Sequence, residues 1–460
     1  MAKAPKTDLL REAMDKIIPV HRIEEAVKRL GVQQRRRQLD PVGLVTRMIF
    51  VGGTAEAGRL AAVLRDYYQD GHPQPARSAA YRWFDEELLA LMKELVDGAL
   101  DYVASMPHSL PGILQGPTDW RAFDSSTVKL PDALMPTWAG TGEYAAVKIH
   151  KEYSLGVENV VGYHIGPARE HDNLHLVVDE TRRGTGLLVD LGYASHDLLR
   201  RCERFDVAYV IKGKGGWNLY VDDSVDSSSR ARWKVPADWT CPDASEPLSL
   251  PEEGDLDIDI TLGDEADPIL ARLVAFSAKG KRVVLLTNLS RETHPIDAVG
   301  MLYRLRWAIE TDYKLVKSGC QLDEITAERP VAAEILIHAS MLASILANAF
   351  CHASHVEDGG VGTKAPKMSR PPLHPLLVWK FVVVAATSLT DILLGDEDPR
   401  RPWEGRRKLI MSTGGDPNWR NRPSPIDEVK GRIPSRRPWK PGTKMKSVRH
   451  QGPKRSMAAK

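Results

Sequence analysis

Tyr303, Arg306, Glu310 and Lys317 fall in one stretch, residues 303–317, that holds no Pro or Gly and is rich in Leu, Arg, Lys, Ala and Glu. Such a composition favours helix. At about 100° per residue from Tyr303, Arg306 falls at about 300°, Glu310 at about 340°, Lys314 at about 20° and Lys317 at about 320°. An aromatic ring, a carboxylate and three cations therefore share a sector about 80° wide. Leu305, Ile309, Leu315 and Val316 lie mainly on other faces and can pack inward. A carboxylate so surrounded has two uses. It can form a solvated i,i+4 pair with Lys314, worth about a few tenths of a kcal/mol. It can also ligate a hard cation while neighbouring cations hold phosphates. The second use demands more carboxylates from elsewhere in the chain.

The spacing Tyr303-x2-Arg306-x3-Glu310-x6-Lys317 resembles, at all four positions, the Tyr-Arg-Glu-Lys signature of insertion-sequence transposases of the IS-four family. The resemblance implies that Glu310 is the third carboxylate of an Asp-Asp-Glu metal site, with two aspartates upstream, each at a strand. Two positions meet that demand. Apolar residues enter Asp124, and Ser-Ser-Thr follow it, which reads as a strand delivering a carboxylate among small residues. The run Gly186-Leu-Leu-Val-Asp190-Leu-Gly reads as a short buried strand whose last residue emerges at the C-terminal edge of a sheet. Active sites collect at such edges. Asp119 is the rival to Asp124, but its place at the strand start suits turn or cap duty. His171-Asp172 resembles a pair often found in the family and is read as supporting structure.

The elements that must position these residues are read from residue pattern. Residues 8–18, 23–30, 41–50, 54–68 and 79–104 carry apolar residues at helical spacing, giving an all-helical N-terminal region with Arg35, Arg36 and Arg37 at a break. The resemblance favours DNA as its ligand. Residues 118–130, 145–155, 157–165, 186–190 and 207–211 read as five strands, with a helix at 195–204 capped by Ser195. The order strand–strand–strand–helix–strand–helix–strand, with Asp on strands one and four, is the ribonuclease-H-like arrangement, a name reached partly by resemblance. Residues 217–221, 231–235 and 256–262 alternate as in strands and suggest a β-rich insertion. The family carries one here, with an aromatic that stacks on a flipped base. Trp217, Trp233 and Trp239 are candidates, though each is also a natural core residue of a small sheet. The expected class is therefore α/β: an all-helical domain (1–110), a ribonuclease-H-like mixed-sheet core in two parts (111–216 and 281–398), a β-rich insertion (217–280), and a basic, largely disordered tail (399–460).

Charge is segregated beneath a net of +2: residues 221–267 hold 14 acidic and 3 basic residues, and residues 401–460 hold 17 basic and 4 acidic. Such sorting suits a protein that meets a polyanion on one side. Four scattered cysteines form no Cys-x2-Cys pair, so neither a zinc ribbon nor a disulfide framework is expected, and a reducing cytoplasm fits. The N-terminus has no apolar signal-like core. The apolar run at 335–351 contains His338, Ser340, Ser344 and Asn348 and reads as a buried core helix, so no membrane partner is expected. His338, His352 and His355 read as core or helix-end histidines.

Together the residues and the resemblance imply a metal-dependent DNA transposase acting near the nucleoid. Asp124, Asp190 and Glu310 would hold Mg²⁺ or Mn²⁺, two ions in all. Tyr303, Arg306, Lys317, Lys212 and Lys214 would contact DNA. Partners would be double-stranded DNA, both element ends and target, and a second protomer in a synaptic homodimer. The alternatives are a ribonuclease-H-like metal nuclease and a domesticated DNA-binding protein without catalysis.

Overall fold

The computed structural model describes residues 8–32, 39–51, 58–72, 77–214, 216–264, 267–358, 371–395 and 400–433. The described residues form nine strands: β1 Trp120–Lys129, β2 Ala146–Ser154, β3 Asn159–Pro167, β4 Gly186–Val189, β5 Ala208–Lys212, β6 Leu219–Val221, β7 Leu256–Asp264, β8 Asp267–Ala278 and β9 Lys281–Thr287. All nine join one sheet in the order β3-β2-β1-β4-β5-β9-β8-β7-β6. β1, β4 and β5 run parallel, while every other neighbouring pair is antiparallel. The β1–β4 contact is close because residue 186 is glycine. A Cβ there would come within 2.5 Å of the Trp120 ring.

The helices are α1 Leu9–Ile17, α2 Val20–Leu30, α3 Pro41–Ile49, α4 Arg59–Gln69, α5 Arg77–Ala80, α6 Glu86–Ala104, α7 His196–Arg204, α8 Ser227–Arg230, α9 Ile296–Leu305, α10 Trp307–Lys314, α11 Pro330–Glu357, α12 Pro375–Val384, α13 Ala386–Leu394, α14 Arg400–Thr413 and α15 Pro425–Val429. Their caps follow local chemistry: Asp8, Asp85 and Ser195 each accept a backbone N–H in the first turn of the helix that follows. Alternation along the strands sends side chains to two cores. Leu188, Val210 and Leu285 face the larger core, which also holds α1, α3, α6 and α11. Leu187, Val189, Tyr209, Ile211 and Leu286 face the smaller one, covered by Leu198, Leu199 and Cys202 of α7.

α11 is long and apolar enough to span a membrane by length and composition, yet it lies buried at the centre of this fold. Two of its histidines have hydrogen-bond partners: His338 Nδ1 meets the Tyr163 hydroxyl at 2.6 Å, and His352 Nε2 meets the Pro107 carbonyl at 2.7 Å.

Three expectations need correction. The boundaries at 110, 216, 280 and 398 do not separate independent cores among the described residues. The larger core runs from Leu10 to Ile426, and the smaller one includes both Ile211 and Leu256. The N-terminal helices need α11 to cover their apolar faces. The insertion is likewise no separate sheet: β6 to β8 extend the central one through β9, and β8, unanticipated, supplies the link. Residues 231–235 form no strand; they follow the short helix α8, which Asp226 caps, and only Lys234 bridges to Asp257.

The third correction concerns the basic tail. Residues 400–433 are packed, with Trp403, Ile410 and Ile426 buried. Glu158, at a left-handed φ of 53° in the β2–β3 turn, is gripped from this segment. Lys430 Nζ donates to it at 2.8 Å and Arg432 Nη1 at 2.6 Å, while Arg432 also donates to Asp427 at 2.8 Å. Composition misled here because charges that look solvent-seeking find one another inside. Arg35–Arg37 and residues 434–460 lie outside the described residues.

We predict that Arg432→Ala lowers unfolding free energy by about 3 kcal/mol, since it strands the buried carboxylates of Glu158 and Asp427. Urea titration of both proteins measures this. A loss under about 1 kcal/mol would mean that Lys430 alone suffices for the clamp.

Candidate active site

Register carries two carboxylates to one edge of the sheet. Phe123 of β1 stands beside Val189 of β4, and Val189 stands beside Ile211 of β5. One residue further along these parallel strands come Asp124, Asp190 and Lys212. Asp124 is therefore mid-strand, Asp190 just past the end of its strand, and Lys212 the exposed last residue of β5.

The third carboxylate comes from the helical layer, and the helix bearing it is not the straight one predicted. α9 ends at Leu305 and α10 begins at Trp307. At the junction the backbone tightens, with Arg306 N–H reaching Tyr303 O and Ile309 N–H reaching Arg306 O, each at 3.2 Å. Beyond α10, residues 315–319 form one π-helical turn. The face drawn from spacing survives the junction, since Tyr303, Arg306, Glu310 and Lys317 all turn toward the β1 side of the sheet edge. No Pro or Gly lies at the break. The Arg306 side chain is 8% exposed and forks into the sheet edge. Nη1 lies 3.2 Å from Asp124 Oδ2; Nη2 lies 2.7 Å from Glu310 Oε1 and 3.7 Å from Asp190 Oδ2. Three carboxylates from three elements meet on one guanidinium.

Each group is tuned by that meeting. Burial pushes the Asp124 carboxyl above its ordinary value, Arg306 and the Ser125 amide oppose this, and Glu310 and Asp190 add to it. Burial also pushes Asp190 up, but the Leu191 amide, Arg306, the Tyr303 hydroxyl and Lys212 outweigh it, and its pKa falls below the ordinary value. Arg306 loses some cationic stability to burial and regains more from its anionic neighbours, so its pKa rises.

The expected phosphate-binding residues behave unevenly. The Tyr303 hydroxyl donates to Asp190 at 3.0 Å, so Tyr303 and Arg306 turn toward the carboxylates and not outward. Lys317 Nζ donates to Thr127 O of β1 at 2.7 Å, and Lys314 is exposed. Lys212 flanks Asp190. Lys214 is exposed in the loop beyond, and nothing among the described residues brings it to the carboxylates. Trp217, Trp233 and Trp239 pack against the smaller core, and Trp233 donates to Asp259. The exposed indole in this region is that of Trp307, next in sequence to Arg306. Asp119 stays out of the site: it accepts from Ser154 Oγ at 2.6 Å and Gly156 N at 2.9 Å.

Spacing missed the groups that hold α10 in place. Lys151 stands opposite Asp124 across the β1–β2 ladder, and its Nζ donates to Asp312 at 2.6 Å in a fully buried ion pair. Asn348 of α11 donates to the other Asp312 oxygen, also at 2.6 Å. The Tyr313 hydroxyl lies 2.9 Å from Asp124 O and 2.7 Å from Ile149 O. Below Asp124, Ser125 Oγ donates to Asp172 at 2.8 Å, which gives the His171-Asp172 pair its supporting role. A signal was available for Asp312 alone, a charged residue on the inward face of a helix. An open cleft of about 430 Å³ is lined by Asp222, Asp259, Arg272 and Arg291 and includes none of the three carboxylates.

The donor set fits divalent cations. All three ligands are hard carboxylate oxygens, as Mg²⁺ and Mn²⁺ prefer. Asp124, Asp190 and Glu310 keep side-chain exposures of 23%, 38% and 30%, which leaves an entry path. Three negative charges against one Arg306 leave a surplus of two for a cation to neutralise.

The family model described as a transposase DDE domain matches residues 115–346, half of the chain, a segment that includes all three carboxylates. The transposase for insertion sequence element IS231F of Bacillus thuringiensis subsp. israelensis is 20% identical over 372 residues, 73% of this chain and 78% of that one. The transposase for insertion sequence element IS1151 of Clostridium perfringens is 20% identical over 391 residues, covering 76% and 82% of the two chains. Among solved structures, the cryo-EM structure of the piggyBac transposase synaptic complex with hairpin DNA aligns over 88% of this chain and 86% of that one, at 11% identity and a TM-score of 0.44.

We predict that Arg306→Met, which keeps bulk and removes the charge, destabilises the metal-free protein by about 2 kcal/mol, less than a fully buried pair because all three carboxylates reach water. Added Mg²⁺ should then raise the melting temperature of the variant more than that of the wild type. Equal Mg²⁺ responses would mean that the carboxylates do not share one electrostatic site.

Proposed function

This chain belongs to the transposase DDE domain family and is a DNA transposase; from that premise we propose that Asp124, Asp190 and Glu310 are its catalytic carboxylates. The observation that carries the assignment is their convergence, from two parallel strands and one helix, on the single guanidinium of Arg306 at 2.7–3.7 Å. The strand order β3-β2-β1-β4-β5, with α7 crossing from β4 to β5, supports a ribonuclease-H-like core lengthened by β6–β9.

The three carboxylates would hold two Mg²⁺ or Mn²⁺ ions, which when bound activate a water or a 3′-hydroxyl and stabilise the leaving oxygen of an in-line displacement. The protein's own part is positional. Asp124 is fixed by the β1–β2 and β1–β4 ladders, Asp190 by its bond from Tyr303, and Glu310 by Lys151 and Asn348 acting through Asp312. Arg306 keeps the carboxylates together, and with cations bound there its planar fork would be free to take a DNA phosphate. Lys212 at the sheet edge and Lys317 beside β1 add point charges along the same path. The substrates in this reading are the inverted-repeat ends of the element that encodes the chain, and a target duplex; two protomers synapse the two ends.

We predict that Asp124→Asn, Asp190→Asn and Glu310→Gln each lower metal-dependent cleavage of end-bearing DNA at least about a hundredfold, roughly 2.7 kcal/mol of activation free energy. Binding to the same DNA should hold within a few-fold, because each change keeps volume and removes only a charged ligand. Gel-resolved cleavage and fluorescence anisotropy measure the two. Near-normal nicking by any one variant would remove that residue from the assignment. Cleavage without joining of 3′ ends to a target would point instead to a plain nuclease.

A further inference from the structure

A second group of ligating side chains lies on the far side of β1 from Asp190. His150 of β2 and His164 of β3 are direct cross-strand partners, so both project from one face of the sheet. The chain leaving β3 brings back Glu170 and His175. His175 Nε2 lies 3.0 Å from Glu170 Oε2. The His175 ring packs 4.4 Å from that of His164 and 4.0 Å from that of His150, centroid to centroid. One ligand atom each from His164, Glu170 and His175 falls within 4.8 Å of the other two.

We propose that His164, Glu170 and His175 form a transition-metal site of the zinc type, separate from the three carboxylates and of different chemistry. The carboxylates offer only hard oxygens. This cluster offers two imidazole nitrogens and one carboxylate oxygen, a set that suits zinc and disfavours Mg²⁺. Tetrahedral zinc at bond lengths of about 2.0–2.1 Å needs donor atoms about 3.4 Å apart, so closing the site takes rotamer adjustments of about 1.4 Å at most. His164 is exposed, which leaves a route for the ion. A second observation points to the same place. The buried His150 imidazole, packed on His175, has no hydrogen-bond partner for Nε2 among the described residues. Its Nδ1 is 3.4 Å from the Tyr193 hydroxyl and 3.8 Å from Asp172 Oδ1. The unpartnered Nε2 would serve as a fourth ligand were the His150 ring to turn toward the cluster.

The site's consequence follows from what lies between its ligands. Asp172 sits in the segment bounded by Glu170 and His175 and accepts from Ser125, the residue after Asp124. An ion that ties this segment to β3 therefore steadies the support beneath Asp124. In this role His164, Glu170 and His175 are positioning residues that do not touch the DNA.

The test uses the full chain carrying Asp124→Asn and Glu310→Gln, so that the carboxylate site takes up no metal, and Co²⁺ or Zn²⁺ alone as probe. We expect one equivalent of Co²⁺ to bind with visible d–d bands of a four-coordinate nitrogen–oxygen site, to be displaced by Zn²⁺, and to survive excess Mg²⁺. His164→Ala and His175→Ala, added singly, should each weaken Co²⁺ binding at least about tenfold and abolish a Zn²⁺-induced rise in melting temperature. His164→Gln, at an exposed position, guards against misfolding and should give the same loss. Co²⁺ uptake that is unchanged by all three substitutions, or absent from the folded parent, overturns the proposal. The readouts involve no DNA, so failure here leaves the transposase reading untouched.

Discussion

Three carboxylates cannot be gathered at one sheet edge without a cation among them. At an effective dielectric constant of about 20, two unit charges about 4 Å apart interact by about 4 kcal/mol, so the mutual repulsion of three would rival the stability of a whole domain. Arg306 resolves this with one rigid fork that reaches Asp124, Asp190 and Glu310 together. A lysine at that position offers a point charge and no fork. The helical run is interrupted at residue 306, and the Arg306 guanidinium lies inward among the carboxylates.

The geometry holds only if α10 keeps its place over β1. Asp312, two residues after Glu310, is buried and charged, and it is satisfied by Lys151 from the sheet and Asn348 from α11. A buried pair of this kind is weak as a source of net stability, because desolvation offsets most of its attraction. Its value is register: slipping α10 by a residue would leave two buried charges unpaired, and that penalty selects one position for Glu310. α11 in turn is fixed by the N-terminal helices that wrap it. The active edge thus depends on a core to which both ends of the chain contribute.

The C-terminal segment makes the same point from the outside. Lys430 and Arg432 close on Glu158 at the turn between the two strands that carry Lys151 and His164. Residues that composition assigns to solvent are in fact placed against a strained turn, and they hold the outer edge of the sheet against the helices.

How much of this could be read from the residues follows the range of the physics involved. The positions of Asp124 and Asp190 on the sheet were legible because each follows an apolar run, Asp124 with Ser-Ser-Thr after it and Asp190 with a glycine two residues on. Glu310 was placed by side-chain spacing within one short stretch, and the cap at Ser195 involves a neighbour three residues away. The break at Arg306, the pairing of Lys151 with Asp312, the joining of β6–β9 to the central sheet and the Glu158 clamp were not legible. Each is decided by partners far apart in sequence, up to 274 residues for Arg432 and Glu158. A charged residue carries no local mark of whether its partner will be water or a buried ion. Sequence alone determined the elements that announce themselves locally, such as β1, β4 and the helix capped by Ser195, while β8 and the break at Arg306 were not among them. Tertiary structure alone decided which charges lose their water, because only packing brings together groups whose burial must be compensated.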